Sequence, residues 1–341
     1  MIPDSARRQR IEVLFDQCAD LPPTQRDRFL AVATGGDVAL RHQVEALLAS
    51  ADRADSSGRL ERIVAAAFEL PRSRPRKPRA GDRYELLEKL GGGGMGTVYM
   101  ANDRQSGRVV ALKFLSESLA EDPVLKRRFY REAQAAATLR HGNIGAIEGI
   151  EETAEGRLFI VMPYYEGGTL KNTIAQGPLP VARAVRCAIQ LADGLAHAHA
   201  AGVIHRDIKP ANLMFAADGS LKILDFGIAK IAGEKLTRTG LVLGTLAYMS
   251  PEQAAGGVLD HRTDLWALGV VFHEMLAGQP PFSAPSIELL FRAVRQEEPA
   301  AIRSLRPEVS AEIEAVVRRL LRKEPAERYP DAAAVADALG G

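Results

Sequence analysis

The segment that decides the fold reads His205-Arg206-Asp207-Ile208-Lys209-Pro210-Ala211-Asn212-Leu213, and Leu224-Asp225-Phe226-Gly227 follows it. Asp207 and Asn212 lie five residues apart, and Asp225 follows Asp207 by 18 residues. Mg²⁺ is a hard cation that prefers oxygen ligands, so Asn212 and Asp225 are candidate metal ligands. Asp207 can orient a hydroxyl group and accept its proton, and Lys209 can neutralise a phosphoryl group. Two such motifs in this order indicate a catalytic site.

A glycine-rich segment lies upstream and reads Leu90-Gly91-Gly92-Gly93-Gly94-Met95-Gly96-Thr97-Val98, with G-x-G-x-x-G spacing at Gly91, Gly93 and Gly96. Glycines let the backbone approach phosphate oxygens closely. The spacing alone is weak evidence, because a glycine-rich hairpin tip can carry it. A dinucleotide-binding unit needs a helix directly afterwards. The residues after Val98 instead continue as a strand, which fits a flap lying over ATP.

A lysine follows in the β-prone tetrapeptide Val110-Ala111-Leu112-Lys113. Its ammonium group could pair with the α- and β-phosphates, whereas the alternative for this tetrapeptide alone is a surface lysine. A buried lysine needs an anionic partner. Glu132, which lies 19 residues further on in a helical stretch, is the natural candidate.

Taken together, these motifs resemble those of the eukaryotic-type Ser/Thr protein kinases found in bacteria. The resemblance runs from about residue 82 to 340, roughly three quarters of the sequence. Its closing motifs are Gly244-Thr245-Leu246-Ala247-Tyr248-Met249-Ser250-Pro251-Glu252, Asp264-Leu265-Trp266 and Arg328. The implied fold is α+β and bilobal, with a small β-rich N-lobe (82–163) and a large α-helical C-lobe (168–341).

The residues themselves indicate the same two parts. A long helix is predicted at Arg183–Ala200 from its hydrophobic period. Short β-prone runs predict strands at Tyr84–Leu90, Val98–Asn102, Val109–Leu115, Ile144–Glu151 and Leu158–Met162.

The resemblance implies a role for each matching residue, with ATP and Mg²⁺ (or Mn²⁺) as cofactors. The implied catalytic residues are Asp207, Lys209, Lys113 and Glu132, and the implied metal ligands are Asn212 and Asp225. The nucleotide pocket would be formed by Leu90, Gly91, Gly93, Gly96, Val98, Ala111, Lys113, Met162, Pro163 and Tyr165. Pro163 departs from the usual Glu, but the family's hinge uses the carbonyl group there, which proline keeps. Adenine pairing should therefore survive.

The resemblance also bears on the acceptor and on regulation. Lys209 and the platform residue Thr245 are typical of Ser/Thr acceptors. Arg206 is a cation beside the implied catalytic residue Asp207, and a phosphothreonine could pair with its charge. Autophosphorylation of one or both of Thr237 and Thr239 is our hypothesis. The alternative is that both are solvated loop threonines.

Composition limits the class of protein. The chain has 341 residues, a net charge of +1 and 46% hydrophobic residues, which excludes wholesale disorder and predicts no nucleic-acid partner. Two cysteines exclude a disulfide framework. Neither a run of 18 apolar residues nor a signal peptide is found, so we expect a cytoplasmic protein with no membrane segment in this chain.

We expect three regions along the chain: a helical N-terminal region (1–70), a basic Pro-rich linker (71–81) and a protein kinase domain (82–341). Residues 1–70 contain three or four amphipathic stretches, one with Asp37 as a helix N-cap. This region is either a helical cap or an interaction or autoinhibitory module. The basic segment 71–80 contains three prolines, which favours an extended spacer.

Three alternatives compete with an ATP-dependent Ser/Thr kinase. A pseudokinase or scaffold that binds partners without phosphotransfer typically lacks a counterpart of Lys113, Asp207 or Asp225, and all three are present. A small-molecule phosphotransferase usually lacks the Asp-Phe-Gly and Ser-Pro-Glu pair of motifs. A pure helical adaptor would leave this set of residues unused. ATP and proteins with Ser or Thr acceptors are the expected partners, and a homodimer for trans-autophosphorylation is left open.

Overall fold

The computed structural model describes residues 14, 29–30, 33–34, 37, 40–45, 80–93, 96–115, 123–226 and 246–340. The chain divides into two compact units, Met1–Lys77 and Pro78–Gly341. In the first unit, residues 40–45 are helical, and the Leu40 N–H donates to Asp37 Oδ1 at 2.9 Å. This bond confirms the predicted N-cap. Most of the other predicted N-terminal helices, and the linker before residue 80, lie outside the described residues.

The first part of the second unit is a five-stranded antiparallel sheet with the order β1-β2-β3-β5-β4. The strands are β1 Tyr84–Gly93, β2 Gly96–Asp103, β3 Arg108–Leu115, β4 Gly149–Glu152 and β5 Leu158–Pro163. Helix α1, Pro123–Ala137, precedes β4. The sheet and this helix agree with the predicted β-rich N-lobe.

Strand β3 shows how the sheet sorts its side chains, because successive residues of a strand point to opposite faces. Leu112 and Phe114 join a cluster with Tyr84 and Phe159, and Phe114 stacks on Phe159 with ring centroids 5.0 Å apart. Ala111 and Leu115 join the other, larger core. Lys113 shares their face, which turns its ammonium group toward the C-lobe.

The rest of the unit is mainly helical, as predicted for the C-lobe. Its helices are α2 Leu170–Ile174, α3 Val181–Ala200, α4 Pro251–Ala254, α5 Arg262–Ala277, α6 Ile287–Gln296, α7 Ile302–Leu305, α8 Ala311–Leu320 and α9 Ala332–Gly340. A two-stranded ribbon, β6 Leu213–Phe215 and β7 Leu221–Ile223, follows α3. Helix α5 is buried on nearly every side and lies at the centre of the lobe.

One predicted strand was wrong over most of its length. The sequence predicts a strand at Ile144–Glu151, but β4 begins only at Gly149. Residues 141–148 form a loop that bonds to the C-lobe instead: the Gly145 N–H donates to Ile223 O, and the Ile223 N–H donates to Asn143 O, both at 2.8 Å. Two backbone groups of this loop are therefore satisfied by Ile223 of β7. In the part of the chain that the structure describes, no helix has the length and hydropathy to cross a bilayer.

Candidate active site

The loop between α3 and β6 brings three predicted residues together. Lys209 Nζ lies 2.8 Å from Asp207 Oδ2, and Asn212 Nδ2 donates to the same oxygen at 3.1 Å and to Asp207 O at 2.8 Å. A 3₁₀ turn at Pro210–Asn212 folds the loop back, so residues five apart in sequence meet. The base, the cation and one metal ligand predicted from sequence therefore form one cluster.

A buried carboxylate on α5 holds this loop. Asp264 is fully buried, and its two oxygens accept the backbone N–H groups of His205 at 2.8 Å and Arg206 at 2.7 Å. His199 Nε2 lies 2.8 Å from Asp264 Oδ2. Arg206 has a left-handed φ of 68°, which a non-glycine residue adopts at a cost. The two backbone bonds to Asp264 stabilise that conformation.

The ring of His205 joins the loop to the segment that carries Asp225. The Asp207 N–H donates to His205 Nδ1 at 3.2 Å, which assigns the ring proton to Nε2, and Nε2 then donates to Leu224 O at 2.7 Å. The Leu224 N–H donates to Asn212 O at 2.9 Å. These bonds bring the two predicted metal ligands, Asn212 and Asp225, to neighbouring positions. Asp225 also has a left-handed φ, 66°.

Lys113 reaches the site from strand β3. Its Nζ lies 2.8 Å from Asp225 Oδ1, and its side chain is only 8% exposed. Burial acts to raise the pKa of Asp225, but the Lys113 ammonium beside it lowers that pKa below its ordinary value, so the carboxylate is ionised. The pairing of Lys113 with Glu132 of α1 stays a prediction.

The predicted adenine-side residues share one face of the sheet. Val98 lies opposite Lys113 in the β2–β3 pair, and Ala111 lies opposite Met162 in the β3–β5 pair. Met162 is buried and lines a small cleft together with Ala136, Gly145, Ile147, Ile160, Leu224, Asp225 and Phe226. Met162 of the predicted nucleotide pocket and the predicted metal ligand Asp225 thus line the same cleft.

The hinge and the glycine segment complete this side. Pro163 is the last residue of β5, and the Tyr165 hydroxyl accepts the Ala146 N–H at 3.3 Å. Gly91–Gly93 pair with Gly96–Val98, so β1 and β2 form the strand–loop–strand hairpin that the sequence predicts. Leu90 lies at a register shift of β1 and is 42% exposed.

Helix α4 carries an ion pair and a contact to the loop that contains Asp207. Glu252 and Arg328 form a two-bond ion pair, with Arg328 Nη1 and Nη2 at 2.7 and 2.8 Å from the carboxylate oxygens. Gln253 Nε2 donates to Arg206 O at 2.9 Å. Gly227, Thr237, Thr239 and Thr245 lie outside the described residues.

Sequence reasoning missed His199 and Gln253. His199 contacts Asp264, 65 positions away, and Gln253 contacts Arg206, 47 positions away. Local sequence spacing does not predict contacts over such separations. A signal for Gln253 did exist. Ser250-Pro251-Glu252-Gln253 has the Ser-x-x-Gln pattern of a helix capping box, and the structure forms both of its bonds at the start of α4.

Comparison with known proteins agrees with this geometry. Residues 84–338 match the family described as "Protein kinase domain". The chain is 42% identical to serine/threonine-protein kinase PknB of Mycobacterium leprae, over 75% of this chain and 42% of that protein. It is 40% identical to serine/threonine-protein kinase PrkC of Bacillus subtilis, over 74% of this chain and 39% of that protein.

A solved structure, the kinase domain of Mycobacterium tuberculosis PknI, superposes with a TM-score of 0.60 at 30% identity. The match covers 76% of this chain and 96% of that one. The chain spans about two fifths of the length of the PknB and PrkC proteins it matches. The matched residues 84–338 make up most of this sequence, and the chain therefore belongs to the protein kinase domain family.

Proposed function

We propose that this chain is an ATP-dependent protein kinase that transfers the γ-phosphate of ATP to serine and threonine hydroxyls of proteins. One observation carries the proposal. Lys209 and Asn212 each contact the Asp207 carboxylate at 3.1 Å or less. Asp225, which pairs with Lys113 at 2.8 Å, is held near Asn212 by the Leu224–Asn212 backbone bond. A base, two cations and two oxygen ligands in one place suit phosphoryl transfer.

The donor set suits Mg²⁺ or Mn²⁺. The Asn212 amide nitrogen is used on Asp207, which orients its carbonyl oxygen as the atom available to a cation. The Asp225 carboxylate is the second oxygen donor. A bound Mg²⁺ would neutralise phosphate charge.

The chain's own residues account for the transfer. Asp207 accepts the proton of the acceptor hydroxyl and aligns its oxygen with the γ-phosphorus. The bond from that oxygen to phosphorus forms, the bond from phosphorus to the β–γ bridging oxygen breaks, and ADP leaves. Lys209 and Lys113 offset the negative charge on the phosphates. Val98, Ala111, Met162, Pro163 and Tyr165 hold the adenine, and the backbone of Gly91, Gly93 and Gly96 covers the phosphates.

The proposal includes autophosphorylation of Thr237 or Thr239, in trans between two copies of the chain. Arg206 supports it. Its Nε is buried, and among the described residues no acceptor lies within hydrogen-bond distance of it. A buried donor of a cationic side chain is expected to have an acceptor, and a phosphate oxygen would supply one. Glu132 completes the proposed set by positioning Lys113, and Thr245 contacts the acceptor residue.

We also propose the three regions 1–70, 71–81 and 82–341, with the last as the catalytic domain. The boundary between the two compact units, after Lys77, falls within the proposed linker and supports a separate C-terminal domain. The cytoplasm is the proposed compartment, because ATP is supplied there and thiols such as that of Cys187 stay reduced.

The experiment is phosphate transfer from γ-labelled ATP and Mg²⁺ to the chain itself and to a generic basic protein, followed by identification of the labelled amino acid. Wild type should produce phosphoserine or phosphothreonine, and Asp207→Asn should not. When the two proteins are incubated separately with ATP, intact mass should show phosphate on wild type and none on Asp207→Asn. When they are mixed, wild type should transfer phosphate to the Asp207→Asn chain. No transfer with ATP binding intact would favour the scaffold. Equal phosphate in both proteins would reject autophosphorylation.

A further inference from the structure

The two residues before Asp225 are held between two glycines. Ile223 ends β7 and Leu224 follows it, and the backbone of both is bonded to the loop 141–148 or to the loop 205–213. Gly145 approaches this pair from the loop 141–148. Gly194 approaches it from helix α3.

Gly145 leaves room that Leu224 occupies. A Cβ built on Gly145 would overlap Leu224 Cδ2 and would lie 3.2 Å from Ile223 O. The second contact can relax by a few tenths of an ångström, but the first cannot coexist with the present position of the Leu224 side chain. The Gly145 N–H meanwhile donates to Ile223 O at 2.8 Å, so the loop cannot move away without losing that bond.

Gly194 of helix α3 leaves room in a similar way for the Ile223 side chain. A Cβ there would lie 2.6 Å from Ile223 Cδ1 and 3.3 Å from Asn143 O. A glycine in the middle of a helix costs about 1 kcal/mol relative to alanine. Its position under Ile223 gives that cost a physical reason, because the helix, β7 and the loop 141–148 approach one another closely at this point.

We propose that Gly145 is a positioning residue for Asp225. Its missing side chain lets Leu224 lie against the backbone of the loop 141–148. That contact, together with the bonds from Leu224 to Asn212 and His205, fixes the backbone from which Asp225 projects with a left-handed φ. The inference deepens the proposed function, because Asp225 matters there as a metal ligand.

The variant Gly145→Ala should therefore weaken metal binding more than it weakens nucleotide binding. The added methyl group must displace the Leu224 side chain, and we expect that displacement to shift the backbone from which Asp225 projects. Misplacing the supports of a metal ligand typically costs about 10-fold or more in metal affinity. We expect the free Mn²⁺ concentration at half-saturation of the protein–nucleotide complex to rise about 10-fold on that basis. The affinity for a non-hydrolysable ATP analogue without metal should stay near that of wild type.

The test uses the full chain and electron paramagnetic resonance of Mn²⁺ with the ATP analogue, beside the Mg²⁺ dependence of the initial transfer rate. Gly142→Ala is the matched control, since it makes the same change in the same loop with nothing within 4 Å of the new Cβ. Leu224→Ala and the double variant Gly145→Ala/Leu224→Ala complete a cycle. Once Leu224 is truncated, the alanine at 145 should change the Mn²⁺ midpoint by less than about twofold.

Two results would overturn the inference. One is a Gly145→Ala midpoint equal to that of Gly142→Ala, and the other is an undiminished effect in the Leu224→Ala background. If Gly145→Ala loses cooperative thermal unfolding, the double variant decides, because it should fold and hold Mn²⁺ as Leu224→Ala does. If wild type transfers no phosphate, the proposed function fails. The Mn²⁺ midpoints would still decide the role of Gly145.

Discussion

At the scale of the residue, the site depends on charged groups that are buried together with their partners. Arg328 is the clearest case, since its guanidinium is fully buried beside Glu252, which is 13% exposed. It also donates to the carbonyl groups of Arg262, Arg322 and Lys323. Removing one partner of such a pair leaves the other charge buried and unpaired.

We therefore expect Arg328→Ala to lower the free energy of unfolding by about 3–5 kcal/mol. Arg108→Ala is the comparison, because Arg108 pairs with Glu148 at 3.1 Å but has a side chain 62% exposed. That change should cost about 1 kcal/mol or less. Denaturant unfolding of both variants provides the measurement, and similar losses would contradict the assigned difference.

The same ion pair predicts a dependence on pH. Burial acts to raise the pKa of Glu252, but the two hydrogen bonds and the charge of Arg328 bring it below its ordinary value of 4.5. In the range between the two pKa values the unfolded chain binds more protons, so stability rises with pH there. The stabilising contribution is complete above pH 4.5 and is lost as the pH falls through the folded pKa.

Unfolding of wild type and Glu252→Gln across pH checks this sign. The difference in unfolding free energy should be constant above pH 4.5 and should shrink at lower pH. A difference that stays flat down to pH 3, or that grows on acidification, would show that Arg328 does not lower the pKa of Glu252.

At the scale of the element, the start of α4 supports the catalytic loop. Ser250 is buried, accepts the Gln253 N–H at 3.2 Å and shares a 2.6 Å hydrogen bond with Thr263. Gln253 Oε1 accepts the Ser250 N–H at 2.9 Å, and Gln253 Nε2 donates to Arg206 O at 2.9 Å. The cap therefore fixes a side chain that holds the loop at Arg206.

Ser250→Ala should destabilise the protein by more than a cap alone does. Ser310→Ala is the control, because Ser310 caps α8 from an exposed position. Losing an N-cap costs about 1 kcal/mol, and leaving the buried Thr263 hydroxyl unsatisfied adds about 1–3 kcal/mol. Thermal unfolding of both variants gives the comparison. Equal shifts would mean that the bond to Thr263 contributes nothing.

The elements also show which features the sequence predicts. Strands β1, β2, β3 and β5 coincide with short β-prone runs of the sequence, and the long helix α3 follows the hydrophobic period of a helix. The bilobal kinase fold was confirmed. The sequence identifies Asp207, Asn212 and Asp225 as candidate site residues because each lies in one of two short motifs. The strand predicted at Ile144–Glu151 was wrong because its backbone bonds to β7 across the lobes, which no local pattern reports.

At the scale of the whole molecule, the second unit begins before the family match does. The unit starts at Pro78 and the match at residue 84. Ala80 is buried in the same cluster as Tyr84. Arg83 bonds twice to Asp103 at 3.0 Å and reaches Glu151. Within the described residues, Ala80 and Arg83 therefore pack on or bond to the sheet before β1 begins at Tyr84.

We expect the fragment 78–341 to unfold cooperatively and to have a higher Tm than 84–341. A loss of about 1 kcal/mol lowers the Tm of a domain of this size by about 2–4 °C. Scanning calorimetry of the two fragments provides the measurement, and equal Tm values would place the boundary at residue 84.

The same fragment tests the role of residues 1–70. Turnover of 78–341 equal to that of 1–341 would favour a helical cap, whereas higher turnover of 78–341 would favour an autoinhibitory module.

The most direct test of the whole account is the initial rate of phosphate transfer to a protein substrate by Asp225→Asn and by Asp218→Asn. Both changes remove one carboxylate, but Asp218 lies in the exposed turn between β6 and β7, where its Oδ1 accepts the Ser220 N–H at 2.9 Å and the Ser220 hydroxyl at 2.6 Å. Because Asp225 is the proposed metal ligand that faces Lys113, its loss should lower the rate by about 100-fold or more. Asp218→Asn should transfer phosphate at the wild-type rate. Transfer by Asp225→Asn at the rate of Asp218→Asn would contradict the proposed site.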